Sequence, residues 1–369
     1  MVYRIVFRLS AAFFAAAVLF ILAREAGSVP RYSARYGQKC LLCHQSPTGG
    51  GMRSLYASQF LVPNEIAARP YGDESLELPD PGISRDVTIG ADLRTLAVYG
   101  DEQKEENNFF QMQGDVYLHF QLDRRFSAYF DRGMSGTYEM FGTGYVLPAN
   151  GYFKAGRFTP AYGWRFADHT MFTRREIGFF DPPAHSDVGI ELGFFPGDGS
   201  LNLAVMNGAP GLVRDVDGVR AYFARTEIRR RLGPVNIAGG LSGLAVDEEE
   251  FEPWAAGPFG YASWGSWTWV GEWDWKREAG PGGATAFVTS HEFTRRIIRG
   301  VDLRATYDFY DPDRDRETGA RTRAGIGIDT LPYPYLGVLA MVNFHDYDEG
   351  IDVTGDDRVQ ANLVLHFLY

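Results

Sequence analysis

From residue 86 to the C-terminus, apolar and polar residues alternate with a period of two. They do so in segments of about ten residues separated by turn signals, the pattern of strands with one apolar and one polar face. Phe110, Met112, Gly114, Val116, Leu118, Phe120 and Leu122 share one face of such a segment, and Gln111, Gln113, Asp115, Tyr117, His119 and Gln121 share the other. Trp267, Trp269, Trp273 and Trp275 fall on a single face. The last segment, Arg358 to Tyr369, sets Ala361, Leu363, Leu365, Phe367 and Tyr369 against Gln360, Asn362 and His366. The same reading predicts strands near 86–99, 108–122, 125–133, 137–146, 152–159, 187–196, 200–207, 219–232, 235–246, 258–264, 267–277, 284–294, 301–310, 321–331, 336–346 and 358–369.

That set is even in number, and its polar faces are rich in amides, as a wet interior requires. Alternation of this kind, with aromatic girdles on the apolar side, predicts an all-β fold: a transmembrane antiparallel β-barrel of about 16 strands. After residue 30 no stretch approaches the roughly 20 apolar residues of a membrane helix. The aromatic content of 15% and the 43 glycines agree, and the mean hydropathy of -0.22 reflects interior and loops diluting an apolar outer face. With both termini on the inner side, Asp123-Arg124, Pro148 to Gly151, Pro196 to Gly199, Gly233-Pro234, Gly265-Ser266, Arg295 to Gly300 and Pro332 to Tyr335 become the inner turns. Most are short, whereas several outer connections are long, the asymmetry expected of such barrels.

Much of the net charge of -11 lies in four outer connections: Asp101 to Asn107, Asp247 to Glu252, Asp311 to Glu317 and Asp346 to Asp357. A negative mouth concentrates cations and repels polyanions, which excludes nucleic acid as a partner. Asp311-Pro-Asp313-Arg-Asp315 lacks the glycine and glutamate of a calcium loop. Thr159 to Ser186 differs from the other outer connections. It carries Arg165, Asp168, His169, Arg174, Arg175, Glu176 and His185 beside aromatic residues, and can either enter the interior as a constriction or stay outside.

The N-terminus has a different character. Arg4 and Arg8 precede an apolar run, Leu9 to Ala23, and the small residues Ala26-Gly27-Ser28, the plan of a secretory signal peptide. Beyond it stands Cys40-Leu-Leu-Cys43-His44, which contains both cysteines of the chain. A C-x-x-C-H run is a c-type haem attachment site, with one covalent haem c bonded through Cys40 and Cys43 and with His44 as the iron ligand. The competing chemistries fit less well. A zinc site needs about four ligands, and a thioredoxin-like couple needs a βαβ setting. The segment around the motif is rich in proline and glycine and too short for a robust core of its own, so it leans on the barrel as a plug or a periplasmic arm. Met52, His119, His169 and His366 are the candidates for the sixth iron position, which can also stand open.

The chain divides accordingly into a signal peptide (1–28), a haem-binding segment (29–85) and a barrel (86–369). In the run Pro30-Arg-Tyr-Ser-Ala-Arg35-Tyr-Gly-Gln-Lys-Cys40-Leu-Leu-Cys43-His44, the Ala-Arg before the motif and Pro47 after it are similar to the fused monohaem cytochrome c–porins of bacterial outer membranes, a family that includes iron oxidases. The resemblance implies an electron-transfer protein of the outer membrane, with its haem on the periplasmic side or within the barrel. It implies outer-sphere exchange between an extracellular redox partner such as Fe(II) and a periplasmic cytochrome or other carrier. The barrel would sit in outer-membrane lipid, and its closing aromatic strand would address the barrel-assembly machinery. Gly49-Gly50-Gly51-Met52 departs from that family's pattern and leaves the iron substrate and the direction of electron flow open. Two other classes of function remain: a solute porin or uptake barrel with a haem-bearing periplasmic arm, and a haem-based sensor.

Overall fold

The computed structural model describes residues 30–68, 80–101, 108–134, 138–168, 170–178, 186–212, 218–247, 253–277, 283–348 and 358–369. The expected signal peptide (1–28), His169, His185 and most of the acidic outer connections lie outside these residues. Sixteen antiparallel strands form one closed sheet: β2 (Val87–Gly100), β3 (Phe109–Gln121), β4 (Phe126–Gly133), β5 (Tyr138–Leu147), β6 (Gly151–Phe158), β7 (Asp187–Phe194), β8 (Gly199–Met206), β9 (Ala221–Leu232), β10 (Val235–Val246), β11 (Trp254–Trp264), β12 (Trp267–Arg277), β13 (Thr285–Ile298), β14 (Val301–Asp311), β15 (Arg321–Tyr333), β16 (Leu336–Tyr347) and β17 (Val359–Leu368). Each pairs with its sequence neighbour, and β17 closes on β2 from Gln360↔Gly100 to Leu368↔Asp92. Tyr369 extends that seam by exchanging both backbone hydrogen bonds with Ala91, at 2.8 and 3.0 Å. A short strand, β1 (Gly82–Ser84), pairs with the start of β2 beyond the point where the terminus stops. Closure leaves no sheet edge, the condition for crossing hydrocarbon with strands.

The predicted sidedness holds. On β3, Val116 and Phe120 face outward and are exposed, whereas Gln113, Asp115, Tyr117 and His119 are buried in the interior. On β12, Thr268, Val270, Glu272 and Asp274 are buried inside, which turns the four tryptophans to the lipid side, where Arg295 caps the Trp267 ring at 5.0 Å. All sixteen predicted strands are present, with two boundaries displaced by about four residues. β11 begins at Trp254 rather than 258, because Trp254 to Pro258 pair continuously with β10, while the ladder to β12 lapses only at Gly257 and Pro258, where proline has no N–H to donate. β13 runs on to Ile298 through Arg295 and Arg296, with a register shift between Arg296 and Ile298 that breaks the alternation.

Two segments fill the barrel. From the short-turn end, where both ends of the barrel chain meet, residues 30–68 enter as a plug. It comprises α1 (Pro30–Tyr36), the single turn α2 (Cys40–Cys43) and a π-helical stretch, Ala57–Ile66. From the long-loop end, residues 159–168 and 170–178 turn inward and carry α3 (Phe172–Ile177) against β12, β13 and β14.

Candidate functional site

Helix α1 docks through its arginines. Proline at its first position needs no N–H there. Arg31 reaches Asp329 at 2.8 Å and Glu292 at 3.4 Å, and Arg35 makes two bonds to Asp302, at 3.0 and 3.3 Å. All three carboxylates project inward from β13, β14 and β15, so the helix is fastened to the wall by paired charges. Further along the plug, Lys39 donates to the carbonyls of Gly197 and Gly199 at a short turn, and Arg299 donates to the carbonyls of Pro63 and Ala67. These contacts seat residues 30–68 inside the short-turn end.

The haem motif lies at the centre of this plug. The His44 N–H closes the single turn α2 onto the Cys40 carbonyl at 3.1 Å, which sets both thiols and the imidazole on one compact unit. Neither thiol is part of a disulfide. Cys43 is buried against Ala57, Leu61, Val62 and Leu331, and Cys40 lines a narrow internal cavity. Burial, reinforced by the nearby Arg53 and Arg165 guanidinium groups, pushes the His44 imidazole down to about 4, so the ring is neutral across physiological pH. Its buried Nδ1 has no hydrogen-bond partner.

Gly49 and Gly50 explain the triglycine. Both sit at positive φ, +89° and +76°, a region costly to residues with a Cβ. A Cβ on Gly49 would stand 3.3 Å from the Cys40 Cβ and 3.6 Å from its Sγ, and one on Gly50 would overlap the Arg165 guanidinium. The backbone therefore wraps the motif with no room for side chains.

The inward loop closes over the plug. Its backbone N–H groups must find partners away from water, and they find them on the wall. Thr159 donates to Glu139 at 2.5 Å, Ala161 to Glu191 at 3.2 Å, Gly163 to Ser242 at 2.8 Å and Trp164 to Glu272 at 2.6 Å. Farther on, Phe172 donates to Asp308 at 3.0 Å and Thr173 to Ser290 at 3.0 Å. These acceptors lie on β5, β7, β10, β12, β13 and β14, so the loop spans the interior. Arg165 then donates to the carbonyl of Gly49, joining loop to plug. Burial alone would raise the Asp168 carboxyl, but Arg323 and Arg304 outweigh it and hold the group well below the usual carboxylate range. The interior-facing Lys154, Glu191, Asp274 and Asp308 have no solvent exposure at all.

Of the sequence candidates for the sixth iron position, His169 lies outside the described residues, and Met52, His119 and His366 each have surroundings of their own. Met52 packs into the wall with Tyr117 and Tyr129. His366 is held by Asp92 at 2.8 Å and by Arg94 at 3.2 Å, on the seam of the barrel. His119 is buried on β3. Of the residues that meet at the Cys40 cavity, Arg165 belongs to the loop the sequence singles out, whereas Lys39, Arg225, Glu227 and Arg229 were missed as site residues. A signal for three of them existed, since Arg225, Glu227 and Arg229 occupy alternate, interior-facing positions of β9.

The residues fit a covalent haem by the chemistry of the donor set. Two thiols outside any disulfide stand at the ends of one turn, with a buried imidazole beside them.

Comparison with solved structures agrees with the architecture. The chain resembles an outer-membrane OmpT of Vibrio cholerae lacking loop L8, at 11% identity, with a TM-score of 0.55 and 77% of this chain and 99% of that chain covered. OprB of Pseudomonas putida aligns at 8% identity, TM-score 0.61, over 77% and 94% of the two chains. An anion-selective porin from Comamonas acidovorans aligns at 10% identity, TM-score 0.54, over 77% and 99%. The fold is that of the outer-membrane porins. No protein-family model matches the chain, and no curated protein does. At these identities the likeness concerns the fold of the barrel alone.

Proposed function

We propose that the chain is an electron-transfer protein of the bacterial outer membrane. It would carry one covalent haem c on Cys40 and Cys43, with His44 as iron ligand, and exchange electrons between an extracellular partner such as Fe(II) and a periplasmic carrier. The observation that carries this reading is the position of the motif. Cys40, Cys43 and His44 lie inside a barrel filled from both ends, not on an arm outside it. When bound, the haem supplies one-electron chemistry. The protein's own residues do the rest. The β-strands hold an apolar face to lipid. The plug arginines fix the motif against the wall. The inward loop shields it from water, and its backbone amides satisfy the wall carboxylates. A redox centre at membrane depth needs such a polar lining, because isolated charge is costly there. In this reading the short-turn end faces the periplasm, and the acidic long-loop end faces outward and attracts cations. The terminal aromatic strand would be the element read by the barrel-assembly machinery.

A second reading, a solute porin with a haem-bearing plug, is favoured by the comparisons, since the similar barrels include an anion-selective porin. Against it stands an interior whose charges are buried and paired. The two readings part in one experiment. Vesicles carrying the purified protein and an internal electron acceptor are exposed to Fe(II), with haem reduction followed by its visible spectrum and ion conductance followed in parallel. Reduction of haem and acceptor at negligible conductance supports the conduit. Free conductance with a haem that Fe(II) never reduces overturns it.

A further inference from the structure

We propose that the open face of the plug, centred on Leu42, Leu55, Tyr56 and Phe60, is a docking surface for an acidic soluble protein. That protein is the periplasmic electron carrier of the reading above, on which the proposal rests. Most exposed apolar side chains of the chain stand on the strands, where lipid covers them. These four do not. They are 45, 49, 38 and 52% exposed, and they belong to residues 30–68, which the barrel wall separates from hydrocarbon. Large apolar side chains grouped in water mark an interaction site.

The four form one surface. The Tyr56 and Phe60 rings stack with their centroids 5.7 Å apart. The Ser54 hydroxyl donates to the Leu42 carbonyl at 2.6 Å, which brings Leu42 beside Leu55, and Gln38 donates to the Tyr56 hydroxyl at 3.1 Å. The other side of the π-helical stretch, with Ala57, Leu61, Val62 and Ile66, is buried against Cys43 and Leu331 inside the barrel. The exposed side therefore looks out of the short-turn mouth. Contacts with the short turns fix that direction. Lys39 holds the carbonyls of Gly197 and Gly199, Arg53 donates to the carbonyl of Pro334 at 3.1 Å, and Arg299 holds those of Pro63 and Ala67.

The rim of that mouth is basic. Arg124, Arg125, Arg231, Arg295 and Arg299 are exposed on or beside the short turns, and Lys39 adds its charge where the plug meets one of them. A further arginine, Arg230, pairs with Asp198 at 3.0 Å, and Asp123 gives its carboxylate to two backbone N–H groups of its own turn. The other exposed carboxylates there, among the described residues, are Asp80, Asp86 and Glu65, with Arg85 between the first two. An apolar, aromatic centre within a charged rim is the plan of a protein interface, and a positive rim selects a partner with carboxylates around its own apolar patch. Lipid cannot reach a plug enclosed by the wall. A second copy in the same membrane shares its orientation and so cannot face this end. The opposite, long-loop end carries the acidic connections and would repel such a partner, which makes the choice of end electrostatic.

The test uses the full-length protein in detergent micelles and two soluble c-type cytochromes as probes, one acidic and one basic. Binding is read directly, by calorimetry and by association kinetics. Intact mass without the added haem would remove the electron-transfer reading, whereas binding measured on that same protein would still decide the docking surface. The acidic probe should bind and should weaken as salt is raised, since exposed charges are screened. Phe60→Ser should weaken it roughly 30-fold, the loss typical of a central aromatic anchor. Leu55→Ser is the second variant, on the same exposed side. Arg124→Glu combined with Arg125→Glu should slow association at low salt and flatten the salt dependence. Binding of the basic probe should be indifferent to Phe60→Ser. A photoreactive benzophenone side chain placed at Phe60 should link to the acidic probe. The proposal is overturned if the acidic probe binds no better than the basic one, or if Phe60→Ser and Leu55→Ser leave its affinity unchanged. Links from position 60 that form only within the same chain overturn it too, because the chain would then cover its own patch. So does binding of phosphatidylglycerol vesicles that Phe60→Ser abolishes, because the face would then belong to a membrane surface.

Discussion

Removing the arginine that fastens α1 to the wall should release the plug and open the barrel. Arg35 is fully buried and shares two hydrogen bonds with Asp302, at 3.0 and 3.3 Å. In Arg35→Ala, Asp302 keeps, among the described residues, a longer ion pair with Arg296 at 3.8 Å. Stripping one partner from a buried pair costs about 3–5 kcal/mol, mostly because a charge is left uncompensated. At about 1.4 kcal/mol per factor of ten, the docking equilibrium of the plug should weaken roughly 100- to 4,000-fold. The β-strand ladder is untouched, so the barrel should assemble normally, while the plug should undock often enough to be seen. Single-channel recording in planar bilayers should show a parent that is closed almost throughout and a variant with frequent openings. Limited trypsin digestion should cut the variant at Lys39 much faster. The double variant Arg35→Ala with Asp302→Asn should close again in large part, because the unpaired charge is gone. If conductance and cleavage match the parent in Arg35→Ala, or if Asp302→Asn restores nothing, the view that paired charges hold the plug is wrong.

Three further outcomes can be measured. Gly49→Ala places a Cβ against Cys40 at a left-handed position and should cost about 1–2 kcal/mol in backbone strain alone, lowering the fraction of protein that carries covalent haem on a haem-stained gel. Val116→Arg puts a charge on the lipid face and should cost up to about 2–4 kcal/mol if it lies near the midplane, reducing assembled barrel by heat-modified gel mobility while the plug contacts stay intact. Asp168 is held ionised by Arg323 and Arg304, so its folded value lies below the unfolded one near 3.9. Its contribution to loop docking is complete above that unfolded value and is lost only as pH falls through the lower folded value. Conductance should therefore stay low from pH 8 down to pH 5, whereas opening of the loop near pH 5 would contradict the assignment.

The wall was legible because its determinants are local. Alternation along β3 or β17 is set by residues two apart, and the hairpin turns lie between neighbouring strands, so even the seam of β17 on β2 follows from an even count. Sequence reading erred where a local signal pointed the wrong way. Gly257-Pro258 reads as a turn but lies within β11, and the charged Arg295-Arg296 pair masks the end of β13. The Cys40-Leu-Leu-Cys43-His44 run stands out for the same reason, being contiguous, and the haem it implies belongs to the proposed function. The surroundings of the run were not legible. Arg225 and Arg229 read as interior positions of β9, yet nothing in their spacing tied them to Cys40.

By itself, then, the sequence determined the closed barrel and its lipid-facing surface, because alternation and turns depend on residues adjacent or nearly adjacent in the chain. Only the tertiary structure decided that the motif sits inside the barrel, that residues 159–168 and 170–178 fold inward over it, and that His366 is bound to Asp92. Those facts rest on pairings such as Arg31 with Asp329, separated by 298 residues. Such pairings follow from which wall charges were left without a partner once the strands had closed.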